Sequence, residues 1–266
     1  MKIETILTPA ELPALAQRDL RATACVVFDV LRATSTFVTA LHHGAKAIIP
    51  VSEIAEALDF RKAEGRRQKA ESILLGGERN GVRISADGID FDLGNSPREY
   101  TPEKVRGKTI ISTTTNGTRA LRACVGAKII LASSFLNLSA TAEFLRRDNF
   151  ENILLVCAGT GENRADEDIL AAGALVELLV GRDSVEPNSN SRNIRVRRSL
   201  TPPSEIALHA YMRAKLDLPG AVRNAENARR LLAIPELRGD VAFCSQRDIF
   251  PLVAEMEADG VIRISV

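Results

Sequence analysis

Residues 109–121 run Thr-Ile-Ile-Ser-Thr-Thr-Thr-Asn-Gly-Thr-Arg-Ala-Leu, an order that leaves few ways to fold. The β-branched opening is the end of a buried strand. Asn116-Gly117 tolerates positive φ and permits a sharp turn, and Thr118–Ala123 opens a helix. A strand that ends in hydroxyls (Ser112, Thr113, Thr114, Thr115), turns on glycine and feeds a helix N-terminus is built like an anion site. Free N–H groups and the helix dipole meet at the turn, and Arg119 adds a fixed positive charge. The same residue types also make an ordinary capped turn, and at this level both readings stand.

The unit occurs twice. Residues 26–52 slide without a gap onto 108–134, matching Thr36 with Thr118, Gly44-Ala45-Lys46 with Gly126-Ala127-Lys128, Ile48 with Ile130 and Ser52 with Ser134. The punctuation coincides as well: strand, polar turn, helix, Gly-Ala-Lys, strand, Ser. This predicts an internal duplication of a βαβ unit, with a chance match of βαβ grammar as the competing account. In a parallel sheet both turns open at the C-terminal ends of their strands, the usual ligand edge. Asp29 and Asn116 are therefore expected at neighbouring points on one sheet edge.

Elsewhere strands and helices alternate. Residues 1–8 form a short strand or arm, a helix opens over Pro9–Leu15, and Cys25–Phe28 is an apolar strand with Asp29 at its C-terminal end. Leu31–Ser35 is a turn, and Thr36–His43 is a helix closed by Gly44 in the left-handed capping position. Ala45–Val51 is a strand, and Ser52 caps a helix from Glu53 to about Gly65. Ile73–Tyr100 begins as a short strand, Ile73-Leu74-Leu75, then carries too many glycines for regular structure and reads as a loop-rich excursion. Asn152–Cys157 is a strand, Ala158–Asn163 a glycine loop, and Asp166-Glu167-Asp168 opens a helix through Leu179. Arg182–Ser199 holds five arginines and reads as an exposed connector or lid. Helices follow over Ser204–Leu216 and Asn224–Leu232, and strands over Asp240–Cys244 and Val261–Val266. The pattern predicts an α/β fold, helices layered on a mainly parallel or mixed sheet. It is a single domain over 1–266, divisible into lobes of about 1–107 and 108–266.

Composition narrows the partners. Lys+Arg 35 against Asp+Glu 34 leaves a net charge of +1, which argues against a nucleic-acid or membrane-surface protein. No apolar run approaches the roughly 20 residues that span a bilayer, and the N-terminus lacks a signal-peptide core, so the expected location is cytoplasmic. The four cysteines are scattered with no CxxC and are expected to be reduced. With three histidines, chemistry here must run on carboxylates, arginines and hydroxyls.

Three strand ends carry polar loops: Asp29–Ser35, Ser112–Arg119 and Gly159–Asp168. Glu78-Arg79 and Asn95-Ser96 can reach in from the excursion. Anion donors beside several acids suggest a phosphate with Mg²⁺ between it and the carboxylates. Each residue also has a plain structural reading. Asp166, Glu167 and Asp168 suit a helix first turn, Asp29 can cap the turn before Thr34, Glu78-Arg79 can be a surface pair, and Asn95-Ser96-Pro97 can be a turn alone. Convergence on strand ends is what favours function. Arg32, three residues after Asp29, is expected to favour an ionised carboxylate there. A haloacid-dehalogenase site fails because Leu31 stands where its second acid is required, and no GxxxxGK[ST] phosphate loop occurs.

Val27-Phe28-Asp29-Val30-Leu31-Arg32-Ala33-Thr34-Ser35-Thr36, Gly77-Glu78-Arg79, Gly94-Asn95-Ser96-Pro97, Thr113–Ala120 and Cys157-Ala158-Gly159 with Glu167-Asp168 resemble, in order, the motifs of the 2-phosphosulfolactate phosphatase (ComB-like) family. The resemblance implies an α/β fold unrelated to haloacid dehalogenases. It also implies a Mg²⁺-dependent acid phosphatase that converts 2-phosphosulfolactate to 3-sulfolactate, a step toward coenzyme M. On this reading Asp29, Arg32, Glu78 and Arg119 are catalytic, and Asp29, Glu78 and Asp168 ligate Mg²⁺. Thr114, Thr115, Asn116, Gly117 and Thr118 cradle the phosphate, and Arg79, Asn95 and Ser96 complete the substrate site. The partners expected are a small anionic phosphorylated substrate and a second copy of the chain in a homodimer. The alternatives are a phosphatase for another small phosphorylated hydroxy acid and a non-catalytic anion-binding module.

Overall fold

The computed structural model of the chain describes residues 1–66, 72–86, 88–181 and 199–265. The connector read as a lid thus lies outside the described residues, save Ser199. In chain order the strands are β1 (Lys2–Ile6), β2 (Thr23–Phe28), β3 (Ala47–Pro50), β4 (Ile73–Arg79), β5 (Val82–Arg83), β6 (Ser85–Ala86), β7 (Ile89–Asp90), β8 (Thr109–Thr113), β9 (Ile129–Ser133), β10 (Asn152–Cys157), β11 (Ser199–Leu200), β12 (Ala254–Met256) and β13 (Ile262–Ile264). The helices are α1 (Ala33–His42), α2 (Ile54–Arg66), α3 (Pro102–Val105), α4 (Gly117–Ala123), α5 (Leu138–Arg147), α6 (Asp166–Val180), α7 (Pro202–Ala214), α8 (Leu218–Arg223), α9 (Glu226–Leu232) and α10 (Arg238–Cys244), with short 3-10 turns between them.

Eleven of these strands form one sheet in the order β11-β1-β10-β2-β9-β12-β13-β3-β8-β4-β5, and β6 and β7 pair separately. The fold is α/β on a mixed sheet, as the alternation predicts. Two parallel blocks, β11-β1-β10-β2-β9 and β3-β8-β4, are joined by the antiparallel β12–β13 hairpin. The central strands are covered on both faces. Every residue of β2 and of β9 is buried, which is why they read as unbroken apolar runs rather than alternating ones.

The two βαβ stretches exchange their strands. β2–α1–β3 and β8–α4–β9 do not form two separate βαβ blocks. Instead β2 pairs with β9 (Val27 opposite Ala132) and β3 with β8 (Ile48 opposite Ile110), both parallel. Gly44 and Gly126, equivalent by the 82-residue offset, close the two helices with φ of 91° and 95°. One apolar cluster joins the two helices to the sheet through Phe37, Val38 and Leu41 of α1, Ala120 and Leu121 of α4, and Val27 and Ile130. The opposite face is covered by the C-terminal helices, with Phe28, Leu131 and Leu155 packed against Leu175, Ala207 and Val241.

The three antiparallel pairings between β9 and β3 set the two parallel blocks in opposite senses, so Asp29 and Asn116 do not share one edge of a parallel block. Twist brings them together instead. Neighbouring strands rotate by roughly 20–25°, and the five pairings from β2 to β8 accumulate roughly 100–125°. The C-terminal ends of β2 and β8 therefore meet across a strongly coiled sheet.

Two local expectations change. Gly76-Gly77 does not break β4, which runs on through Arg79. A Cβ at Gly76 would strike the Tyr100 hydroxyl, and one at Gly77 would strike the Thr113 carbonyl oxygen, so these glycines permit close approach rather than a loop. Asp240–Cys244, expected as a strand, is helical. Its buried residues, Asp240, Val241 and Cys244, fall at i, i+1 and i+4, which is a helix face and not strand alternation.

Candidate active site

Where the ends of β2, β4, β8 and β10 meet, the chain leaves a cleft of about 590 Å³. Asp29, Arg32, Glu78, Asn95, Thr115 and Asn116 line it, together with Asn163, Asn227, Arg230 and Ile234. Five stretches singled out in the sequence thus contribute to one cavity. Its lining carries Asp29, Glu78, Glu162 and Glu226 against only Arg32 and Arg230, and Arg230 is paired with Glu226.

Asp29 follows β2 directly. Its Oδ1 accepts the Ala33 N–H at 3.2 Å, its carbonyl accepts the Thr34 hydroxyl at 2.9 Å, and its own N–H donates to that hydroxyl at 3.0 Å. Asp29 therefore caps the turn, and these bonds start α1 three residues earlier than the sequence suggests. The cap uses one oxygen only: among the described residues nothing donates to Oδ2. Gly117 of the other βαβ unit comes up against it. A Cβ there would lie 2.7 Å from Asp29 Oδ2 and 2.5 Å from the Ala33 Cβ, so any larger residue would push the two units apart. Burial drives the Asp29 carboxyl up to about 7, the Ala33 N–H opposes this, and the charges of Glu78 and Glu167 add to the rise. Arg32 does favour the ionised form, as expected, but burial outweighs it. The effect of Arg32 is small because the guanidinium is committed elsewhere.

That commitment is to Asp240, at 2.9 Å, and to the Gly81 carbonyl at 3.1 Å. The Arg32 and Asp240 side chains are 3% and 0% exposed. Asp240 also accepts the Ser96 hydroxyl at 2.7 Å, so Ser96 supports the cleft wall from behind. Asn95, beside it, lines the cleft, and its carbonyl is held by the Thr36 hydroxyl at 2.9 Å.

Glu78 is a wall strut. Its Oε1 accepts the Thr115 N–H and hydroxyl at 3.0 and 2.9 Å, and its Oε2 accepts the Gly81 N–H at 2.7 Å. Asp168 is another: Oδ1 accepts the Val30 N–H at 2.8 Å and Oδ2 the Gly159 N–H at 3.0 Å. Burial first, then Glu167 and Asp29, push its carboxyl well above the usual range against those two amides. Glu167, next to it on α6, is 1% exposed. Its Oε1 accepts the Asn227 amide at 2.8 Å, while Oε2 is buried with no partner.

The remaining predicted residues divide. Thr115 and Asn116 line the cleft, and Asn116 Oδ1 accepts the Gly161 N–H at 3.2 Å. Thr114 and Thr118 face each other instead, the Thr118 hydroxyl donating to the Thr114 carbonyl at 2.8 Å and the Thr118 N–H to the Thr114 hydroxyl at 3.2 Å. The turn that reads as a phosphate cradle is thus partly self-capped. Arg79 turns away from the cleft, to the carbonyls of Glu78 and Ser52 and the Thr113 hydroxyl at 2.8, 3.2 and 2.9 Å. Arg119 stands half-exposed outside the cleft, paired at 3.2 Å with Glu162 of its lining.

Sequence reasoning missed Asp240, Asn227 and Asn163. Asp240 carried a signal in the helical spacing of its apolar neighbours, whereas the two asparagines stand in polar stretches with none. Among the described residues no three acids, histidines or cysteines converge as a ready metal cage. Mg²⁺ does not require one, since it keeps waters and takes substrate oxygens beside one or two carboxylates. The free Oδ2 of Asp29 and the orphaned Oε2 of Glu167 are the hard oxygens that fit it. All four cysteines are buried and free, and among the described residues no helix is long and apolar enough to cross a membrane.

Comparison with known proteins agrees with the motifs. The family model described as 2-phosphosulpholactate phosphatase matches residues 7–259. Three relatives are named "Probable 2-phosphosulfolactate phosphatase". The one from Caldanaerobacter subterraneus subsp. tengcongensis is 39% identical over 252 residues, 95% of either chain. The one from Thermotoga petrophila is 41% identical over 228 residues, 86% of either chain. The one from Synechococcus sp. strain JA-3-3Ab is 36% identical over 258 residues, 97% of this chain and 94% of its own. With the motif loops gathered at one cleft and the match running nearly end to end, the chain belongs to the 2-phosphosulpholactate phosphatase family of phosphoric monoester hydrolases.

Proposed function

We propose that this chain is a Mg²⁺-dependent acid phosphatase of the cytoplasm that hydrolyses 2-phosphosulfolactate to 3-sulfolactate and phosphate. The observation that carries the reading is the cleft itself: the motif loops meet there around buried carboxylates, and its lining holds more acids than arginines. A substrate with phosphate, carboxylate and sulfonate groups cannot enter such a cleft on arginines alone. Mg²⁺, held by Asp29 with Glu78 or the Glu167-Asp168 pair, would neutralise phosphoryl charge and polarise a phosphoryl oxygen.

The chain's own residues do the rest. A water oxygen bonds to phosphorus as the ester P–O bond breaks, and the proton that the water gives up passes by way of Asp29 Oδ2 to the leaving alkoxide. Asp29 Oδ2 is the oxygen available in the cleft to a proton or a cation, held rigid through Oδ1. Arg32 lines the cleft, and its guanidinium charge, fixed in place by Asp240 and the Gly81 carbonyl, stabilises charge developing on the transferred group. Thr115, Asn116 and Asn95 orient substrate oxygens, and Arg119 guides the anion at the rim. The test is phosphate release from 2-phosphosulfolactate, phospholactate and phosphoglycolate, each with Mg²⁺ and with EDTA. Preference for the sulfonated substrate and loss of turnover in EDTA are expected. Full turnover in EDTA, or preference for another of the three, would overturn the reading.

A further inference from the structure

Glu167 is the second residue of α6, and the helix turns it inward while Asp166 faces out to Arg164 at 3.4 Å. Asn227 of α9 satisfies Oε1 and also reaches the Thr160 hydroxyl. Oε2 has no donor. A buried carboxylate oxygen without a partner is costly and calls for an explanation. A divalent cation beside Oε2 would satisfy it. Glu167 lines a second cavity of about 520 Å³ that adjoins the cleft and shares Thr160, Asn163 and Asn227 with it. The charge of Glu167 bears on both Asp29 and Asp168, and Asp166 and Glu226 lie near it in turn. The lining of this cavity offers Asp166, Glu162, Glu167 and Glu226 beside hydroxyls and amides, against Arg164 and Arg229, with no histidine and no thiol, a donor set that suits a hard divalent ion.

We infer that Glu167, rather than Asp168, is the carboxylate of α6 through which the chain holds its divalent cation, at the junction of the two cavities. Asp168 is a positioning residue: with both oxygens on the amides of Val30 and Gly159, it ties the β2 and β10 loops together. The inference rests on the Mg²⁺ dependence proposed above.

The test is calorimetric titration of MgCl₂ into the full-length wild type and Glu167→Gln, with thermal unfolding of both in EDTA. Glutamine keeps an oxygen for Asn227, so the fold is retained. Mg²⁺ affinity is expected to fall roughly tenfold or more, while the unfolding midpoint in EDTA stays at or above the wild-type value, since the variant removes a charge that the ion neutralises. Equal Mg²⁺ affinity in the two proteins overturns the inference and leaves the Mg²⁺ reading intact. A fall in affinity together with a lower midpoint in EDTA also overturns it, because Glu167 would then be a fold residue. A wild type that binds no Mg²⁺ removes the broader reading as well.

Discussion

Asp240→Asn is expected to be among the most damaging single changes outside the apolar core. It leaves the Arg32 guanidinium, whose side chain is 3% exposed, without its counter-charge, with one amide oxygen in place of the two carboxylate oxygens that serve Arg32 and Ser96. Breaking a buried pair by removing one partner costs about 3–5 kcal/mol, because the surviving charge stays desolvated. At about 2.1 cal/mol/K of unfolding entropy per residue, a chain of 266 residues loses about 0.56 kcal/mol per degree. The midpoint should therefore drop by roughly 5–9 °C. The control is Arg32→Met with Asp240→Leu, which removes both charges and should recover most of the stability while remaining inactive for want of Arg32. Thermal and urea unfolding measure the first, phosphate release the second. A single variant within about 1 kcal/mol of wild type, or a double variant no more stable than the single, would refute the assignment of Arg32–Asp240 as a desolvated pair.

In EDTA the protein should lose stability as pH rises from about 4 to 7. Asp29 keeps its proton up to about 7 in the folded state and releases it near 3.8 when unfolded, so the folded chain binds more protons across that window. Its share is at most about 4 kcal/mol, and Asp29→Asn should flatten the profile; a midpoint that climbs between pH 5 and 8 in EDTA would contradict this. Gly117→Ala drives a methyl into Asp29 Oδ2 and Ala33; a loss of about 1–3 kcal/mol is expected, together with most activity, and wild-type kinetics would show that the two units do not touch there. Thr118→Val removes the hydroxyl bonded to the Thr114 carbonyl and should cost about 1 kcal/mol of stability without changing KM. Asn116→Ala, in the cleft, should lower kcat/KM by roughly tenfold or more; the opposite pattern in these two variants would restore Thr118 to the substrate cradle.

The alternation of β-branched runs with capped helices made the α/β class legible, and strand ends made Asp29, Glu78, Thr115 and Asn116 legible as neighbours in one cleft. What the sequence hid was physical competition for the same groups. Thr118 reads as an anion donor because its residue type is one, yet its hydroxyl donates to the Thr114 carbonyl at 2.8 Å. Arg79 reads as a phosphate clamp, yet its donors face three oxygens of the chain itself. Glu167 and Asp168 are indistinguishable as letters, and only the direction each takes from α6 separates the acid with filled oxygens from the one with an empty oxygen. Gly76-Gly77 gives the same letters for a loop as for a strand pressed against β8.

The exchanged pairing of the two βαβ units explains why the cleft forms at all. Had each βαβ unit paired its own strands, Asp29 and Gly117 would sit in separate halves, each at the mouth of its own unit. Because β2 pairs with β9 and β8 with β3, each half supplies the ladder that the other needs. The hairpin β12–β13 from the C-terminus bridges the two ladders, and α10 from the same third delivers Asp240 to Arg32. A cut at 107/108 would remove the partner strand from both β2 and β8 and leave Oδ2 of Asp29 without the Gly117 backbone that confines it. The site therefore belongs to neither half, and the acids gathered in it are held at close quarters by ladders that neither half can form alone.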